Sequence, residues 1–474
     1  MSGAETTDTD AVETQTTDDE SGASLWTRKR TLLLSALVVL LVVIVIAVWT
    51  IRVISQPDPD PVAVTVSIPI EGVKVPDETK IGVVVSHGSG ATEGSQWSGA
   101  AEGVVVAQER LRLGGTDVEV IVEDDHGTAA GAEQSVQALI DEGVSGIVYA
   151  SSGEHMDDSL AAASDADVPV VLPYAPVPDK ATGAWTLAPS GEAITTAIDD
   201  ELQEFERPLH IDAGEDLPAG ADVEDRVAFT SGGDTAAFTE QVALLTGTDP
   251  LEGGAYAPGA TDEDEFEPID DPADVLVITG HPVEQANVVY ALQTRNISTP
   301  ILLTPSATSP VFAAMLSAQG GTASAKLRTV GIDTGDAVAF DQSPQGRAMS
   351  AYLAALRQFS QDDKLTNLAD DTAFVQVAGD ADIRAHDALL ALVRAVSDAG
   401  DTDPVEVGGA LEELRLVSGD GIAGPELDFS QPSAAGDDVH VLYATAQDLG
   451  LRPTEPASTG GQQLSLVWFA EPAQ

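Results

Sequence analysis

The chain has 474 residues, and 43% of them are apolar, which is enough for a sizeable core and excludes wholesale disorder. Its 78 acidic and 21 basic residues give a formal net charge of -57, which repels phosphate backbones and argues against nucleic-acid binding. The absence of cysteine excludes disulfides, thiol nucleophiles, cysteine-ligated metals and a cysteine-linked lipid anchor.

The N-terminal part of the chain is predicted to be a tail followed by a membrane anchor. Residues 1–27 are rich in Thr, Asp and Glu and have almost nothing to bury, which predicts a disordered acidic tail. In the segment 28–54, three basic residues precede an uncharged run of 21 residues, 31–51. As a helix this run would rise about 31 Å, close to the roughly 30 Å hydrocarbon core of a bilayer.

The charges around this run predict its orientation. Because Arg28, Lys29 and Arg30 precede the run and mostly acids follow it, the positive-inside rule places the tail in the cytoplasm and the C-terminal domain outside the cell membrane. A cleaved signal peptide is the alternative, but its apolar region would be only about 7–15 residues long. Residues 51–55 also carry no small-residue cleavage pattern. The prediction is therefore an uncleaved, single-pass anchor.

Residues 55–78 are predicted to be a linker, because the Pro- and Asp-rich stretch 56–61 favours a stiff, extended backbone. From residue 79 onward, short β-rich runs alternate with longer amphipathic segments. The runs predicted as strands are 80–86, 118–122, 146–150, 168–172, 226–230, 274–279, 300–303 and 439–444. The segments predicted as helices are 94–113, 129–142, 157–165, 235–246, 283–294, 344–359 and 383–398.

This alternation predicts an α/β fold with parallel sheets. The pattern stops and restarts once, which indicates two successive units with a ligand cleft between them. Residues 247–272 are rich in Gly, Pro and acids and are predicted to be a surface excursion. Residues 451–474 are predicted to be an irregular tail.

Several stretches resemble the leucine/isoleucine/valine-binding branch of the type I periplasmic binding proteins, which are solute-binding proteins of ABC transporters. The matching pieces are KIGVVVSHGSGATEG at 80–94, IVEDDHGTAAGAEQSVQALIDEGVSGIVYASS at 121–152, VPVVLPYA at 168–175, AHDALLALVRAVSDAG at 385–400 and GIAGPELDFS at 421–430. The resemblance covers residues 79–450. It implies two Rossmann-like lobes joined by a hinge, with lobe 1 formed by 79–188 and part of 334–450, and lobe 2 by 189–333.

Residues just after the predicted strands are the candidate ligand-binding residues, because loops at strand carboxyl ends form the crevice of open α/β sheets. They are Ser86, His87, Ser89, Ser151, Ser152, Tyr174, Ala175, His281 and Ser306. The resemblance implies that Ser151 or Ser152 bonds a ligand carboxylate and that backbone groups of the Tyr174 loop hold the ligand's charged ends. The alternatives are that the serines cap a helix and that Tyr174 covers the core.

The second-lobe loop predicts a ligand that differs from a branched-chain amino acid. Where the resemblance implies an acidic partner for the ligand's ammonium group, this chain has Ser306, which brings no countercharge. Pro176 has no N–H, so its loop lacks one backbone donor. Glu284 is the alternative source of the missing charge, and a wrong alignment of this lobe is the other explanation.

A dinucleotide site is a weaker interpretation of the first loop. Gly88, Gly90 and Gly94 follow a predicted strand, but their spacing departs from G-x-G-x-x-G. Asp124 lies 36 residues after Gly88, whereas the fingerprint expects its acid after about 20. We therefore expect these glycines to let the loop turn beneath a ligand.

No metal site, cofactor or catalytic centre is predicted. His87, His126, His155 and His281 follow predicted strands without paired metal-ligand spacing, and the acidic run 262–267 lacks the glycine and spacing of an EF-hand loop. No nucleophile elbow or Walker motif occurs. The sequence predicts a membrane-anchored, non-enzymatic solute-binding protein for a small amino-acid- or amide-like ligand, partnered by an ABC permease. The alternative is a degenerate binding fold that acts as a sensor or interaction scaffold.

Overall fold

The computed structural model describes residues 68–88, 92–178, 181–218, 223–248, 270–453 and 466–470. The chain divides into two units, Met1–Thr65 and Val66–Gln474, and all described residues belong to the second unit. The predicted tail, the anchor segment 31–51 and much of the predicted linker and surface excursion lie outside the described residues. No helix in the described ranges is long and apolar enough to cross a membrane.

A five-stranded parallel sheet forms the first lobe. Its strands are β1 (Lys80–Val85), β2 (Glu119–Asp124), β3 (Ile147–Ala150), β4 (Val170–Leu172) and β5 (Ala184–Thr186), in the order β2-β1-β3-β4-β5. Helices α1 (Gly103–Leu113), α2 (Ala129–Glu142) and α3 (Asp157–Asp165) connect its strands. Both faces of β1 are covered, since Val84 packs with Leu139 of α2, and Val83 and Val85 pack in a separate core.

A seven-stranded sheet forms the second lobe. Its strands are β6 (Pro208–Asp212), β7 (Asp225–Ala228), β8 (Val275–Thr279), β9 (Ile301–Leu303), β10 (Leu327–Gly331), β13 (His440–Thr445) and β14 (Val467–Ala470). The order is β14-β13-β10-β9-β8-β6-β7, and neighbouring strands are parallel except at β13, which is antiparallel to both β10 and β14. Its helices are α4 (Gly191–Leu202), α5 (Thr235–Leu245), α6 (Pro282–Thr294) and α7 (Pro310–Ala318). A separate short pair consists of β11 (Arg415–Leu416) and β12 (Leu427–Asp428).

The chain returns to the first lobe through α8 (Pro344–Phe359), α9 (Ile383–Ala399) and α10 (Pro404–Glu413). Leu389 and Leu392 of α9 share one hydrophobic core with Val83 and Val85 of β1. Asp382 begins α9 by accepting a hydrogen bond from the backbone N–H of Arg384 at 2.7 Å. The chain therefore crosses between the lobes after β5, after β10 and after β12.

The structure differs from the sequence prediction in several elements. The short strands β5, β11 and β12 and the helices α4, α7 and α10 were not predicted. The predicted helix 94–113 begins with two 3-10 turns, Ser95–Trp97 and Ala100–Glu102, and becomes α-helical only at Gly103. The strands β6 and β10 were not predicted, because their apolar runs are interrupted by charged or polar residues and the sheet pairing decides their conformation. The predicted irregular tail contains β14, which buries Trp468 against the second sheet.

Candidate ligand-binding cleft

A cavity of about 700 Å³ lies between the two sheets. The loop after β3 contributes Ser152, the loop after β4 contributes Tyr174, and the loop after β9 contributes Ser306. All three residues follow the carboxyl end of a parallel strand, which is the crevice position expected in open α/β sheets. The cavity is large enough for a small organic ligand.

The first-lobe wall of the cavity is aromatic. The rings of Trp97 and Tyr174 are stacked, with centroids 4.4 Å apart and planes 4° from parallel. The guanidinium carbon of Arg384 lies 4.8 Å from the Trp97 ring centroid and 4.7 Å from that of Tyr174, within range of a cation–π interaction. Burial raises the pKa of Tyr174 well above its usual range, so its phenol stays neutral. This wall offers a rigid apolar surface to a ligand.

Ser152 offers a hydrogen-bond donor to the cavity. Its Oγ accepts hydrogen bonds from Nε2 of Gln96 at 2.8 Å and from the indole N–H of Trp97 at 3.0 Å. A serine hydroxyl has two acceptor positions and one donor hydrogen, and both acceptor positions are occupied here. The remaining hydrogen is therefore free for an acceptor on a ligand.

Ser306 belongs to a polar network at the second-lobe wall. Its Oγ lies 2.9 Å from Oγ1 of Thr304 and accepts a hydrogen bond from Nε2 of the fully buried Gln285 at 2.9 Å. Nε2 of Gln285 also contacts the carbonyl oxygen of Gly280 at 2.7 Å. This network fixes the position of Ser306, so that its hydroxyl is preorganised at the cavity surface.

The described lining of the cavity contains two charged side chains, Arg384 and Glu192. Arg384 is paired with Asp382 through Nε and Nη2, at 3.0 and 3.2 Å. Glu192 is exposed, at the first turn of α4. Glu284, the alternative countercharge, lies in the first turn of α6, is absent from the cavity lining and accepts a hydrogen bond from Asn287 at 3.1 Å. In the part of the chain that is described, no buried, unpaired carboxylate lines the cavity.

Beneath the first-lobe wall lies a buried polar cluster. The hydroxyls of Ser86 and Ser151 are 2.6 Å apart, and Nε2 of His155 lies 3.5 and 3.4 Å from them. The same Nε2 is 3.0 Å from Oδ2 of Asp125, which also accepts a hydrogen bond from the hydroxyl of Tyr149 at 3.0 Å. A hydrolase triad needs the serine and the carboxylate on opposite ring nitrogens, so this cluster is not one.

Asp125 and His155 form a buried ion pair. Burial opposes the charge on both groups, but their mutual hydrogen bond and attraction, together with hydrogen bonds from Ser86 and Gly127 to Asp125 and the nearby Glu93 carboxylate beside His155, outweigh it. The pKa of Asp125 is therefore held below its usual range and the pKa of His155 is raised. Oδ1 of Asp125 also accepts the backbone N–H of Gly127 at 2.8 Å. The cluster thus ties the loops after β1, β2 and β3 together below the cavity.

The pH dependence of the free energy of unfolding tests whether Asp125 and His155 form an ion pair. The pair stabilises the fold above about pH 4 and below about pH 6.5, the unfolded pKa values of Asp and His. Its contribution is lost as pH rises through the raised pKa of His155 or falls through the lowered pKa of Asp125. We expect His155→Ala to cost about 3 kcal/mol at pH 5.5 and clearly less at pH 8.5, measured by urea unfolding. His126→Ala, at an exposed histidine beside Asp124, should cost under about 0.5 kcal/mol at both pH values.

Three further predicted site residues, His87, Ala175 and His281, do not line the described part of the cavity. His87 is exposed, and its N–H donates to Oδ1 of Asp124 at 2.9 Å. Ala175 is buried, and its carbonyl accepts a hydrogen bond from Thr186. His281 caps α6 through Nδ1, and burial lowers its pKa. Ser89 lies outside the described residues.

The candidate histidines do not converge on a metal site. Within the described ranges, no group of three or more His, Asp or Glu side chains is arranged to hold a metal ion. His126 and His87 instead contact the same carboxylate, that of Asp124, at 2.8 and 3.8 Å. Among the glycines, Gly94 has a φ of 78°, so that the loop turns directly above the Ser86–Ser151 pair.

Trp97 and Arg384 are the site residues that sequence reasoning missed. Trp97 lies in a stretch predicted as helix, and Arg384 lies in a late helix far from the first loop in sequence. Their partnership with Tyr174 depends on the packing of α9 against the first sheet. The one local indication in the sequence was Asp382, which directly precedes the apolar run of α9. An aspartate at this position predicts a helix N-cap, and it brings a negative charge close to Arg384 at the start of the helix.

No protein-family model and no curated protein matches the sequence. Solved structures do match. A leucine-binding protein from Thermotoga maritima is 16% identical with a TM-score of 0.54, covering 77% of this chain and 95% of that one. A branched-chain amino acid transporter substrate-binding protein from Streptococcus pneumoniae, in complex with isoleucine, is 14% identical with a TM-score of 0.55, covering 77% and 96%. An ABC transporter substrate-binding protein from Desulfitobacterium hafniense, in complex with leucine, is 15% identical with a TM-score of 0.51, covering 77% and 97%.

The likeness extends over almost the whole length of these structures, and their identities to this chain are low, so it is a likeness of fold. The neighbours are substrate-binding proteins rather than enzymes. The resemblance drawn from the sequence is confirmed: this chain has the α/β fold of the type I periplasmic binding proteins.

Proposed function

We propose that this chain is a membrane-anchored, extracytoplasmic solute-binding protein that captures a small polar ligand in the cleft and delivers it to an ABC permease. The main support is the cavity of about 700 Å³ to which both lobes contribute hydroxyl groups, those of Ser152 and Ser306. Structures with the same fold hold isoleucine or leucine. A ligand that contacts both lobes would favour the closed arrangement of the cleft.

The charges of the cleft favour an uncharged, amide-like ligand over a free amino acid. The Arg384 cation is already paired with Asp382, and the only other charged residue in the described lining, Glu192, is exposed. A buried ammonium group without a countercharge costs several kcal/mol, whereas an amide requires only hydrogen bonds. The free hydroxyl hydrogen of Ser152 suits a carbonyl oxygen.

A thermal-shift screen of the full-length chain against amino acids, amides, sugars and nucleosides tests this function. A ligand at 100 times its dissociation constant should stabilise the protein by about 2.7 kcal/mol. Ser306→Trp should abolish the shift, because the indole would fill the cavity. Ser324→Trp, at an exposed position of the same lobe, is the matched control and should keep it. A shift that survives Ser306→Trp would place binding outside the cleft.

A degenerate binding fold that serves as a sensor ectodomain or a scaffold is the second candidate. It is favoured by Pro176, which lines the cavity without an N–H, and by the lack of a buried countercharge among the lining residues that the structure describes. In this case no compound of the screen would stabilise the wild-type chain, while the protein would remain folded and cooperative in unfolding.

The predicted anchor is tested by topology. Residues 31–51 should hold the protein in the membrane, and protease added outside intact cells should digest the C-terminal domain while sparing the N-terminal tail. Replacing two leucines of the run with aspartate should release the protein, since each central charge costs about 3 kcal/mol of insertion free energy. Recovery of a soluble mature form that lacks roughly the first 55 residues would instead establish a cleaved signal peptide.

A further inference from the structure

A second cavity, of about 400 Å³, lies in the first lobe and shares no lining residue with the cleft. Three arginines from three different helices line it: Arg110 of α1, Arg347 of α8 and Arg394 of α9. The backbone of the turn Ser418–Asp420 closes one side. In a chain with 21 basic and 78 acidic residues, this grouping of cations needs an explanation.

None of the three arginines forms an ion pair with a carboxylate of the described residues. Nη2 of Arg394 donates to the carbonyl oxygen of Asp420 at 2.6 Å, and Nη1 of Arg347 donates to that of Gln342 at 2.9 Å. Nη1 of Arg110 contacts Nε2 of His386 at 2.9 Å and the carbonyl oxygen of Gly421 at 3.1 Å. Most other arginines in these ranges pair with Asp or Glu, as Arg452 does with Asp336.

The arginines differ in depth from the floor of the cavity to its rim. Arg110 is 3% exposed, Arg394 is half-buried and Arg347 is exposed. Nε of Arg394 is buried and has no hydrogen-bond partner among the described residues. A buried guanidinium N–H without an acceptor is costly, and an anion in the cavity would supply the acceptor.

The acidic groups at this cavity do not cancel its charge. Glu71 and Asp420 line it, but Glu71 is exposed and a carboxylate oxygen of Asp420 accepts the backbone N–H of Val417 at 2.9 Å. Three arginines against two acids give the described lining one net positive charge, and the buried Asp387, which is bonded to His386 and attracts Arg110, does not line the cavity. Burial lowers the pKa of Arg110 to about 10, so this guanidinium remains charged at neutral pH.

We propose that this cavity binds a phosphate-type oxyanion through Arg110, Arg347 and Arg394. Guanidinium groups suit phosphate because their N–H donors match two of its oxygens at once. The first turn of α8, at Pro344, adds the positive end of a 16-residue helix to the same cavity. A dissolved phosphate compound and a phospholipid headgroup both carry this chemistry.

Isothermal titration of the full-length chain tests the proposal with two probes, inorganic phosphate and dihexanoyl phosphatidylglycerol, at pH 7 and 0.15 M salt. We expect saturable one-to-one binding of at least one probe, and the tighter probe identifies the source of the phosphate group. Arg347→Gln and Arg394→Gln should each weaken binding at least tenfold. Arg357→Gln, on the same helix as Arg347 but outside the cavity, should change it less than twofold.

Two further measurements distinguish loss of phosphate binding at this cavity from unfolding of the protein and from binding in the cleft. Arg347 is exposed, so Arg347→Gln should melt within about 2 °C of wild type even if Arg394→Gln does not fold. Ser306→Trp, which fills the cleft, should leave the phosphate affinity unchanged. Absence of binding by both probes at millimolar concentration, or equal weakening by Arg357→Gln, would overturn the proposal.

Discussion

Replacing Gly94 with alanine is expected to destabilise the unit Val66–Gln474 by about 2–5 kcal/mol. Its φ of 78° lies in the left-handed region, which costs an L-residue about 1–2 kcal/mol. A Cβ at this position would also overlap the Oγ of Ser151 and crowd that of Ser86. Overpacking a buried site adds about 1–3 kcal/mol. Chemical denaturation of the purified chain measures the total.

Gly115→Ala is the matched control for this substitution. Gly115 also has a positive φ, 92°, but nothing lies within 4 Å of its expected Cβ position. Gly115→Ala should therefore show the backbone cost alone, about 1–2 kcal/mol. If Gly94→Ala proved no more destabilising than Gly115→Ala, the Ser86–Ser151 pair would not close against Gly94 as the structure shows.

Replacing Arg384 with alanine is expected to cost about 3–5 kcal/mol of stability and to impair ligand binding. The substitution leaves the largely buried carboxylate of Asp382 without its cation. Removing one partner of a buried ion pair is strongly destabilising, because the charge of the other partner remains uncompensated. It also removes the guanidinium that lies beside the Trp97 and Tyr174 rings. Urea unfolding measures the first effect, and isothermal titration of the ligand that best stabilises the wild-type protein measures the second.

The exposed pair of Arg415 and Asp428 supplies the control. Its N–O distance of 3.1 Å resembles that of the Arg384 pair, but the Arg415 side chain is 70% exposed. Arg415→Ala should therefore cost under about 1 kcal/mol. Equal costs for the two variants would mean that solvent screens Asp382 and that Arg384 is not a structural part of the cleft wall.

Much of the fold could be predicted because its central strands are continuous apolar runs. β1, β3 and β8 are buried on both faces, and their sequences show it directly. β6 and β10 were missed because His210 and Arg328 interrupt their runs. His210 is buried by a hydrogen bond to Thr279, and Arg328 is placed by its ion pair with Glu201. Such partners come from distant segments and leave no local pattern.

The residues of the ligand-binding cleft, like the strands of the fold, could be predicted from the sequence only in part. Ser152, Tyr174 and Ser306 follow strand ends, and the rule for open α/β sheets places strand ends at the crevice. Ser86 and Ser151 also follow strand ends, but the pairing of His155 with Asp125 draws their hydroxyls into a buried cluster. Which neighbouring serine faces the ligand depends on tertiary hydrogen bonds, and sequence periodicity does not contain that information.

Isothermal titration of leucine, isoleucine, valine and the best-stabilising uncharged compound into the full-length chain tests whether the cleft selects an uncharged ligand. We expect no micromolar binding of the three amino acids. We expect saturable binding of the uncharged compound, weakened about tenfold by Ser152→Ala through loss of one hydrogen bond. Micromolar binding of a branched-chain amino acid that is abolished by Glu284→Gln and kept by Ser306→Ala would contradict a cleft for uncharged ligands, because the countercharge would then have moved to Glu284.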